Sequence, residues 1–334
     1  MQFAEHNCLC ATRCGAAAKA HAYVLRNQRG PLMHTLVIHG GAGVILARIS
    51  NSQRPQYEAS LGRILESGFE ILERGGSSLD AVTAAVCMLE DDPLFNAGIG
   101  AGLTREGSAE LDAAIMDGRD QNAGAVAAVK HVKNPVTLAR RVMERSRHVL
   151  LVGAGAEEFA LEEGMQLLPN QYFRTADRIR QLEGERRGER GGDLVLGSQG
   201  TVGAVALDVA GNLAAATSTG GMTNKLPGRV GDSPIIGAGT YAKNGVCAVS
   251  ATGHGEHFIR SVAAYHITAA VQYRGLSLES AVRELVHAIL PKLGGLGGII
   301  AVGTRGNIVM DFNTQGMFRG ARDSEGRRTI AITR

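Results

Sequence analysis

The sequence predicts an α+β fold in which helices pack on antiparallel sheets. Strand-like and helix-like segments occur in blocks instead of alternating strictly, so a parallel, doubly wound sheet is less favoured. Two pairs of apolar runs have the spacing of hairpins, one around residue 210 and one close to the C-terminus. The chain of 334 residues, with 44% hydrophobic and 20% charged residues, is long enough to bury a substantial core.

The composition also bears on partners and location. No apolar run approaches the roughly 20 residues of a membrane-spanning helix, so no membrane association is expected. The net charge of +3 comes without a basic block of the kind that binds nucleic acid, so no nucleic-acid partner is expected either. The five cysteines lack zinc-like spacing and indicate a reducing, cytoplasmic location.

Residues 1–32 differ from the rest of the chain. They show little apolar periodicity, several basic residues and a single acidic residue, Glu5. Transit peptides share this bias, but hydroxyl residues are scarce here and Met33 directly precedes the first strand-like run. We therefore interpret the segment as a disordered extension or as the product of a mis-set start codon.

The first half of the chain mixes strand and helix signals. The apolar run Thr35–His39 predicts a buried strand, and apolar residues at helical spacing predict a helix over Tyr57–Arg74. Ser77 and Asp80 have the form of a capping box, which opens a helix through Glu90. Further predicted elements are a Gly-rich loop at Phe95–Gly100, a helix from Asn134 to Glu144, a buried strand at Val149–Val152 and a helix at Ala156–Glu163.

Residues 171–200 are rich in Arg, Glu and Asp and nearly devoid of apolar periodicity. Such a stretch buries too little surface to offset its ordering entropy, which predicts a mobile linker. A solvated helix is the alternative that its Arg and Glu residues permit. Under either interpretation the segment divides the chain into residues 33–200 and 201–334.

The second half begins with two strand-like runs, Thr201–Asp208 and Asn212–Thr219, and the turn at Gly211 between them predicts a hairpin. The later predicted elements are a strand at Val246–Thr252, a helix that follows Gly253-His254-Gly255 and ends near Gln272, a helix at Ser277–Leu290, and a closing hairpin of Ile299–Val302 and Ile308–Phe312.

Familiar catalytic signatures are missing from the sequence. It contains no G-x-S-x-G elbow, no H-E-x-x-H zinc motif and no Walker phosphate loop, and no Gly-rich turn completes G-x-G-x-x-G. Hydride transfer on a dinucleotide-binding fold therefore loses its main support. What remains is a set of threonines at strand ends, each close to glycine: Thr201, Thr219 and Thr252.

A threonine can act as a nucleophile when a base takes its proton. One available base is its own α-amine, which exists once the preceding peptide bond is cut and has a pKa of about 7.7 to 8.0. One residue would then supply both nucleophile and base. Taken alone, however, Thr201 is more often an ordinary β-branched residue that opens a strand.

Five segments carry a resemblance to a known family. They occur in that family's order, and the resemblance runs from about Thr35 to the C-terminus: His39-Gly40-Gly41-Ala42-Gly43, Pro93–Gly100, Gly200–Asp208, Thr217–Gly221 and Lys225–Asp232. With these motifs the chain resembles the plant-type (class 3) asparaginases and isoaspartyl peptidases, a family of N-terminal nucleophile hydrolases.

The resemblance implies a four-layer αββα sandwich and a precursor that cuts itself between Gly200 and Thr201. The α chain (33–200) and the β chain (201–334) would together form one domain, and two αβ units would associate as (αβ)2. The implied activity is hydrolysis of L-asparagine and of β-aspartyl dipeptides, with a small amino acid or dipeptide as the substrate and no cofactor for catalysis.

Roles for individual residues follow from the same resemblance. Thr201 is expected to be the nucleophile and Thr219 to orient it. The Thr252 hydroxyl and the Gly253 N–H are expected to donate hydrogen bonds to the developing oxyanion. Asn96 is expected to be a further polar neighbour of Thr201.

The resemblance also implies a substrate clamp. Arg229 would bind the α-carboxylate and Asp232 the α-ammonium, with Gly253 and Gly255 as further contacts, and the charges match those roles. A surface ion pair is the alternative for Arg229 and Asp232. His254 lies where the family varies, so it is expected to influence substrate choice.

A structural sodium ion is implied as well. Its expected ligands are backbone carbonyls, which suit a hard cation. These are the carbonyls of Leu89, Glu90, Asp92, Phe95, Ala97 and Ile99.

Two rival functions stay open at this point. Glycosylasparaginase shares the implied fold and clamp, although the Gly200–Gly203 and His39–Gly43 segments favour the plant type. A non-catalytic scaffold of the same fold is the other rival, and it would be expected to lose Thr201 or Arg229, both of which are present.

Overall fold

The computed structural model describes residues 33–43, 52–188 and 200–334, which form two β-sheets with flanking helices. The strands are β1 (Thr35–Gly43), β2 (Leu111–Asp117), β3 (Ala123–Val129), β4 (Leu150–Val152), β5 (Val202–Leu207), β6 (Leu213–Thr219), β7 (Thr240–Lys243), β8 (Cys247–Gly253), β9 (Gly297–Gly303), β10 (Ile308–Phe312), β11 (Gly316–Asp323) and β12 (Arg328–Ala331).

The helices divide between the two halves of the chain. They are α1 (Arg54–Glu73), α2 (Ser78–Glu90), α3 (Pro135–Arg145), α4 (Gly153–Glu162), α5 (Ala176–Arg186), α6 (Gly255–Ser261), α7 (Ala263–Arg274), α8 (Leu278–Glu284) and α9 (Leu290–Lys292). Short 3-10 turns lie at Gly98–Gly100 and Asn170–Phe173, and a π-helical segment, Leu285–Ile289, joins α8 to α9.

One sheet has eight strands in the order β12-β11-β1-β5-β6-β2-β3-β4, and the other has four in the order β10-β9-β8-β7. Neighbouring strands are antiparallel except β3 and β4, which are parallel. The expected mixture of helices with antiparallel sheets is therefore present. The strand β5, which follows Thr201, lies between β1 and β6 near the middle of the large sheet.

Three groups of apolar side chains form the core, and alternation along β1 separates two of them. Leu36 and Ile38 pack with residues of α1, α2 and α3, whereas Val37 packs with residues of β5, β8 and β9. This is the period-2 pattern of a strand buried on both faces. The third group joins α7 and α8 to the small sheet, through residues such as Ile267, Val282 and Ile299.

The capping box predicted at Ser77 is confirmed. The Ser77 side chain caps α2 by accepting a hydrogen bond from the Asp80 N–H at 3.1 Å, and the Ser77 hydroxyl donates to the Asp80 carboxylate at 2.6 Å. These bonds satisfy donors that the first helical turn leaves without an intrahelical partner. The predicted helices at 57–74 and 134–144 are also present, with starts at Arg54 and Pro135.

The prediction of a buried strand at Val149–Val152 is wrong in one respect. The strand β4 forms, but it is the edge of the large sheet and pairs on one side only, with β3. Val149, Leu150 and Val152 are therefore exposed. A short apolar run does not distinguish a central strand from an edge strand, because sheet order depends on distant segments.

Part of the segment expected to be a mobile linker is helical instead. Helix α5 is capped by the Thr175 side chain, which accepts from the Arg178 N–H, and it buries Leu182. Phe173, just before the helix, is fully buried in the same core group. Because Phe173 and Leu182 are buried, residues 176–186 form a helix, which was the alternative to a mobile linker.

Several elements were absent from the sequence-based expectations. Strands β2 and β3 are rich in alanine, which has a low strand propensity, and β7, β11 and β12 were not anticipated either. The single helix expected up to Gln272 is two helices, because Val262 adopts a left-handed conformation with φ of 48° between α6 and α7.

The expectations for residues 1–32, and for 189–199 of the charged segment, lie outside the described residues. Within the three described ranges, no helix combines the length and apolar composition needed to cross a bilayer.

Replacing Phe69 with Ala should lower the free energy of unfolding by about 3–5 kcal/mol, because the ring is buried between α1 and the large sheet and its loss leaves a cavity. Urea unfolding followed by circular dichroism measures this. Tyr273→Ala, at an exposed position of α7, is the matched control and should leave the midpoint unchanged. Equal midpoints for the two variants would contradict the packing described for α1.

Candidate active site

Thr201 lies immediately before β5 and is almost completely buried. Its hydroxyl donates a hydrogen bond to the Thr219 hydroxyl oxygen, with the two oxygens 3.3 Å apart. The antiparallel pairing of Val202 with Ser218 explains this contact, because it sets the start of β5 beside the end of β6. Thr219 also accepts from the Gly221 N–H at 3.0 Å, which fixes its own orientation.

Thr252 reaches the same place from the small sheet. It lies near the end of β8, and its hydroxyl oxygen accepts a hydrogen bond from the Ala42 N–H at 3.3 Å. The hydroxyl also borders the α-carbon of Gly200: a Cβ added there would collide with it and would lie 2.6 Å from the Ala42 nitrogen. Thr252 is therefore positioned beside the peptide bond between Gly200 and Thr201.

The Gly-rich end of β1, where the strand register shifts between His39 and Gly41, lies against the same bond. Gly41 has a φ of +114°, and a Cβ at this position would lie 2.7 Å from the Gly200 nitrogen and 2.8 Å from its carbonyl oxygen. Only glycine accommodates both the conformation and the contact. The His39–Gly43 motif, to which the sequence analysis gave no individual role, thus forms one wall of the site.

A buried chain of hydroxyl groups connects His39 to the small sheet. His39 Nε2 is 2.8 Å from the Ser250 hydroxyl, which is 2.8 Å from the Thr217 hydroxyl, and Thr240 donates to Thr217 at 2.6 Å. Burial lowers the pKa of His39 to about 3, although a backbone hydrogen bond with Thr201 acts in the opposite direction. The imidazole is therefore neutral near neutral pH, and its hydrogen bond with Ser250 connects β1 to β8.

Asn96 contacts the turn that follows β6. Its side-chain amide donates to the Gly221 carbonyl at 2.7 Å, and its side-chain oxygen accepts from the Gly102 N–H at 2.6 Å. The backbone carbonyl of Asn96 accepts from the Gly220 N–H at 3.0 Å. Asn96 therefore stabilises the turn that contains Gly221. Because the Gly221 N–H binds Thr219 and Thr219 contacts Thr201, Asn96 is connected to Thr201 indirectly.

Asp232 is a buried carboxylate that faces the site. It is 2% exposed, and its Oδ2 atom has no hydrogen-bond partner among the described residues. Burial raises the pKa of Asp232 to about 7, and the charges of Glu256 and Asp112 act in the same direction while that of Arg229 opposes them. A buried acceptor of this kind is suited to a cationic ligand group.

Arg229 lies on the same loop as Asp232, and its ion-pair partner is Glu256 of α6. Its Nε and NH2 atoms each lie 2.9 Å from Glu256 Oε1. Gly255 separates the two clamp groups: a Cβ there would lie 2.9 Å from Asp232 Oδ1 and 3.0 Å from Arg229 NH2. The burial of Asp232 and the pairing of Arg229 with a third residue disfavour the surface ion pair considered as an alternative.

The two other predicted residues of this region adjoin the clamp. Gly253 ends β8 and pairs with Gly297 of β9. His254 precedes α6, and its ring centroid is 5.9 Å from that of His257. The site subregion formed by Arg229, Asp232 and the Gly253–Gly255 turn thus combines a cation, an anion and backbone groups.

Three buried charged groups, Glu110, Asp112 and Lys225, lie next to Arg229 and Asp232 or on the loop that carries them. The Lys225 ammonium donates to the Glu110 carbonyl at 2.8 Å, and the Glu110 carboxylate accepts from the Gly228 N–H at 2.8 Å. Burial lowers the pKa of Lys225, which the charges of Asp112 and Glu110 oppose. Burial also raises the pKa of Asp112, against the charge of Lys225. Sequence reasoning missed these contacts, since they join segments more than a hundred residues apart.

In the Gly-rich loop after α2, glycines lie directly against backbone carbonyls. Gly98, with φ of +49°, comes so close to the Glu90 carbonyl oxygen that a Cβ would collide with it. The carbonyls of Asp92 and Ala97 accept from the Phe95 and Gly100 N–H groups at 3.2 and 3.0 Å. Among the described residues, no group of three or more His, Cys, Asp or Glu side chains is arranged to hold a metal.

The names of proteins with similar sequences refer to one type of activity. The family model described as Asparaginase matches residues 32–332. Isoaspartyl peptidase of Salmonella typhimurium is 55% identical over 295 residues, which cover 85% of this chain and 93% of that protein. Isoaspartyl peptidase of Escherichia coli is 54% identical, covering 85% and 91%. The probable isoaspartyl peptidase/L-asparaginase 2 of Arabidopsis thaliana is 38% identical, covering 89% and 98%.

Lys225→Met should destabilise the chain by about 3–5 kcal/mol, because it leaves buried acidic groups without their counter-charge. Adding Asp112→Asn should recover part of the loss, since the two side chains interact. Chemical unfolding measures both, and Lys292→Met at an exposed position serves as the control. Strictly additive losses in the double variant would contradict the described coupling.

Proposed function

The chain belongs to the asparaginase family, and we propose that it hydrolyses the side-chain amide of L-asparagine and the isoaspartyl bond of β-aspartyl dipeptides through Thr201. The observation that carries the proposal is the contact between the Thr201 and Thr219 hydroxyls directly after Gly200. The nucleophile thus directly follows the scissile bond, and the orienting residue lies beside it at the end of the neighbouring strand β6.

Maturation is the first proposed reaction. The Thr201 hydroxyl adds to the Gly200 carbonyl carbon, the C–N bond between the two residues breaks, and the amine of Thr201 takes a proton as it leaves. The resulting ester is hydrolysed by water, which gives Gly200 a free carboxylate and Thr201 a free amine. Thr252 supports this step, because its hydroxyl borders Gly200 and can donate to the charge that develops on the carbonyl oxygen.

Substrate hydrolysis reuses the same hydroxyl. The free α-amine of Thr201 takes the hydroxyl proton, and the oxygen attacks the side-chain carbonyl of the substrate. The Thr252 hydroxyl and the Gly253 N–H stabilise the oxyanion. The leaving amine, which is ammonia or an amino acid, departs with the proton. Water then hydrolyses the β-aspartyl ester, releasing aspartate and restoring Thr201.

The clamp accounts for the proposed requirement for a free amino-acid end. The Arg229 guanidinium takes the α-carboxylate, and the buried Asp232 carboxylate, whose Oδ2 lacks a partner within the described structure, takes the α-ammonium. Gly255 leaves the space between the two groups in which the α-carbon would lie. Both substrate classes carry this same end, so one clamp serves both.

The proposal includes four further features. A four-layer αββα arrangement is supported by the three core groups, of which one joins helices to the large sheet, one joins the sheets, and one joins helices to the small sheet. Association as (αβ)2 and a cytoplasmic location rest on the family resemblance and on cysteine usage. His254 is proposed to influence substrate choice, because it directly precedes Gly255.

A structural sodium ion is the last part of the proposal. The close approach of Gly98 to the Glu90 carbonyl oxygen, and of Gly100 to the Phe95 carbonyl oxygen, supports it, since such oxygens fit a hard monovalent cation. The ion would fix the loop that carries Asn96 and would take no part in bond breaking. Its ligands would be the carbonyls of Leu89, Glu90, Asp92, Phe95, Ala97 and Ile99.

The purified protein should contain two chains, the second of 134 residues from Thr201 to Arg334 (334 − 200). Thr201→Ala should stay one chain and release no ammonia from asparagine, because both reactions need this hydroxyl. Intact-mass measurement and N-terminal sequencing, with an ammonia assay, give both results. Thr329→Ala on β12 is the control and should behave as the wild type. An uncut variant with wild-type turnover would remove Thr201 from the mechanism.

Arg229→Ala should be cleaved normally yet lose most turnover of both substrate classes, since Arg229 contacts the substrate and not the scissile bond. The expected rise in KM is about tenfold or more, the range for a lost charge-assisted hydrogen bond. Steady-state kinetics with L-asparagine and a β-aspartyl dipeptide test this. Unchanged kinetics with both substrates would contradict the clamp assignment.

A further inference from the structure

We propose that Glu256 is a positioning residue of the substrate clamp, which holds one edge of the Arg229 guanidinium so that the other edge faces the substrate's α-carboxylate. The inference rests on the proposed function of Arg229 and deepens it. Glu256 was not among the residues singled out from the sequence, because it lies 27 positions from its partner and on a different element.

The geometry of the contact shows which edge Glu256 occupies. A guanidinium presents two edges that can each bind a carboxylate with two N–H groups, one formed by Nε and a terminal nitrogen and one formed by both terminal nitrogens. Glu256 Oε1 accepts a hydrogen bond from Arg229 Nε at 2.9 Å and lies 2.9 Å from NH2, and so takes the first edge. The edge formed by NH1 and NH2 remains for a second carboxylate.

Glycine residues border that second edge. A Cβ added to Gly231 would lie 2.9 Å from Arg229 NH1, and one added to Gly221 would lie 3.3 Å from the same atom. A Cβ at Gly255 would lie 3.0 Å from NH2. Because these three positions carry no side chain, the space beside NH1 and NH2 is left for the atoms of a ligand.

The side chains of Arg229 and Glu256 differ in solvent exposure. The Arg229 side chain is 16% exposed and that of Glu256 is 52% exposed, so Glu256 approaches the guanidinium from the solvent side. Burial raises and the Arg229 charge lowers the pKa of Glu256, which ends below its usual value. Glu256 is therefore ionised at neutral pH. Its ion pair with Arg229 persists while the edge formed by NH1 and NH2 binds the substrate.

Several charged groups act on the clamp from the elements packed around it. Asp232 interacts with Arg229 of its own loop, with Glu256 of α6 and with Asp112 of β2. Lys225 interacts with Arg229, and His254 interacts with Glu256. The negative charge of Glu256 raises the pKa of Asp232. Removing that charge, while keeping the oxygen that accepts from Arg229, should therefore lower the pKa of Asp232.

Two substitutions separate geometry from charge. Glu256→Gln keeps a side-chain oxygen that can accept from both Nε and NH2, whereas Glu256→Ala removes it. Steady-state kinetics of the matured protein with L-asparagine at pH 6 and pH 8 would compare them. Glu284→Gln, which alters the Glu–Arg pair between α7 and α8, is the matched control and should have wild-type kinetics.

We expect Glu256→Ala to raise KM about tenfold at pH 8 with kcat within about threefold of wild type, since Arg229 loses its orientation. Glu256→Gln should keep KM within about threefold at pH 8. In wild type, KM should rise on acidification as Asp232 becomes protonated below a pKa of about 7. That rise should be smaller in Glu256→Gln, because its Asp232 stays ionised to lower pH.

Three outcomes would overturn the inference. They are a wild-type KM for Glu256→Ala, an equal loss of kcat in both variants without a change in KM, and an unaltered pH dependence in Glu256→Gln. If Glu256→Ala does not mature, the pH dependence of Glu256→Gln decides alone. Failure of the proposed function looks different, because the wild type itself would then hydrolyse neither substrate.

Discussion

Three backbone segments meet at Gly200, and the arrangement of the candidate site depends on that contact. The last residues of β1 place Gly41 against Gly200, and β8 of the other sheet brings the Thr252 hydroxyl close to the α-carbon of Gly200. A side chain at either glycine would push the segments apart, since an added Cβ would overlap backbone atoms of its neighbour. The two sheets can therefore approach closely enough to place Thr201, Thr219 and Thr252 around one peptide bond.

The clamp depends on a second constraint, the burial of opposite charges on one loop. Asp232 and Lys225 are both nearly inaccessible, and each is held near groups of opposite charge from β2 or the same loop. Buried charges are tolerated only when they are paired or hydrogen-bonded. Among the described residues, the Oδ2 atoms of Asp232 and Asp112 are buried without a hydrogen-bond partner, and a ligand ammonium would satisfy that of Asp232. An unpaired buried carboxylate oxygen destabilises the folded chain, whereas ligand binding requires it. Such a conflict with a stability rule is expected at a functional site.

Local sequence signals predicted the elements that have strong periodicity or capping, such as α1, α2 and the β5–β6 hairpin. The threonines of the site followed from motif resemblance, and the structure brings Thr201 and Thr219 into contact. Strands β2 and β3 could not be predicted, because their alanines carry little strand preference and the place of β2 in the sheet depends on pairing with β6, which is far away in sequence. The roles of Lys225 and Glu256 could not be predicted either, because they depend on contacts between residues that are distant in sequence.

The central claim is that the Thr201 hydroxyl becomes covalently bonded to the substrate's side-chain carbonyl carbon. Rapid acid quenching of the matured protein during turnover of L-asparagine, followed by mass spectrometry of the fragment that begins at Thr201, tests it directly. The account predicts that this fragment carries the mass of one aspartyl group, attached at Thr201, and that the group disappears once substrate is exhausted. A fragment that stays unmodified while ammonia is released in proportion, or an aspartyl group found on another residue, would contradict it.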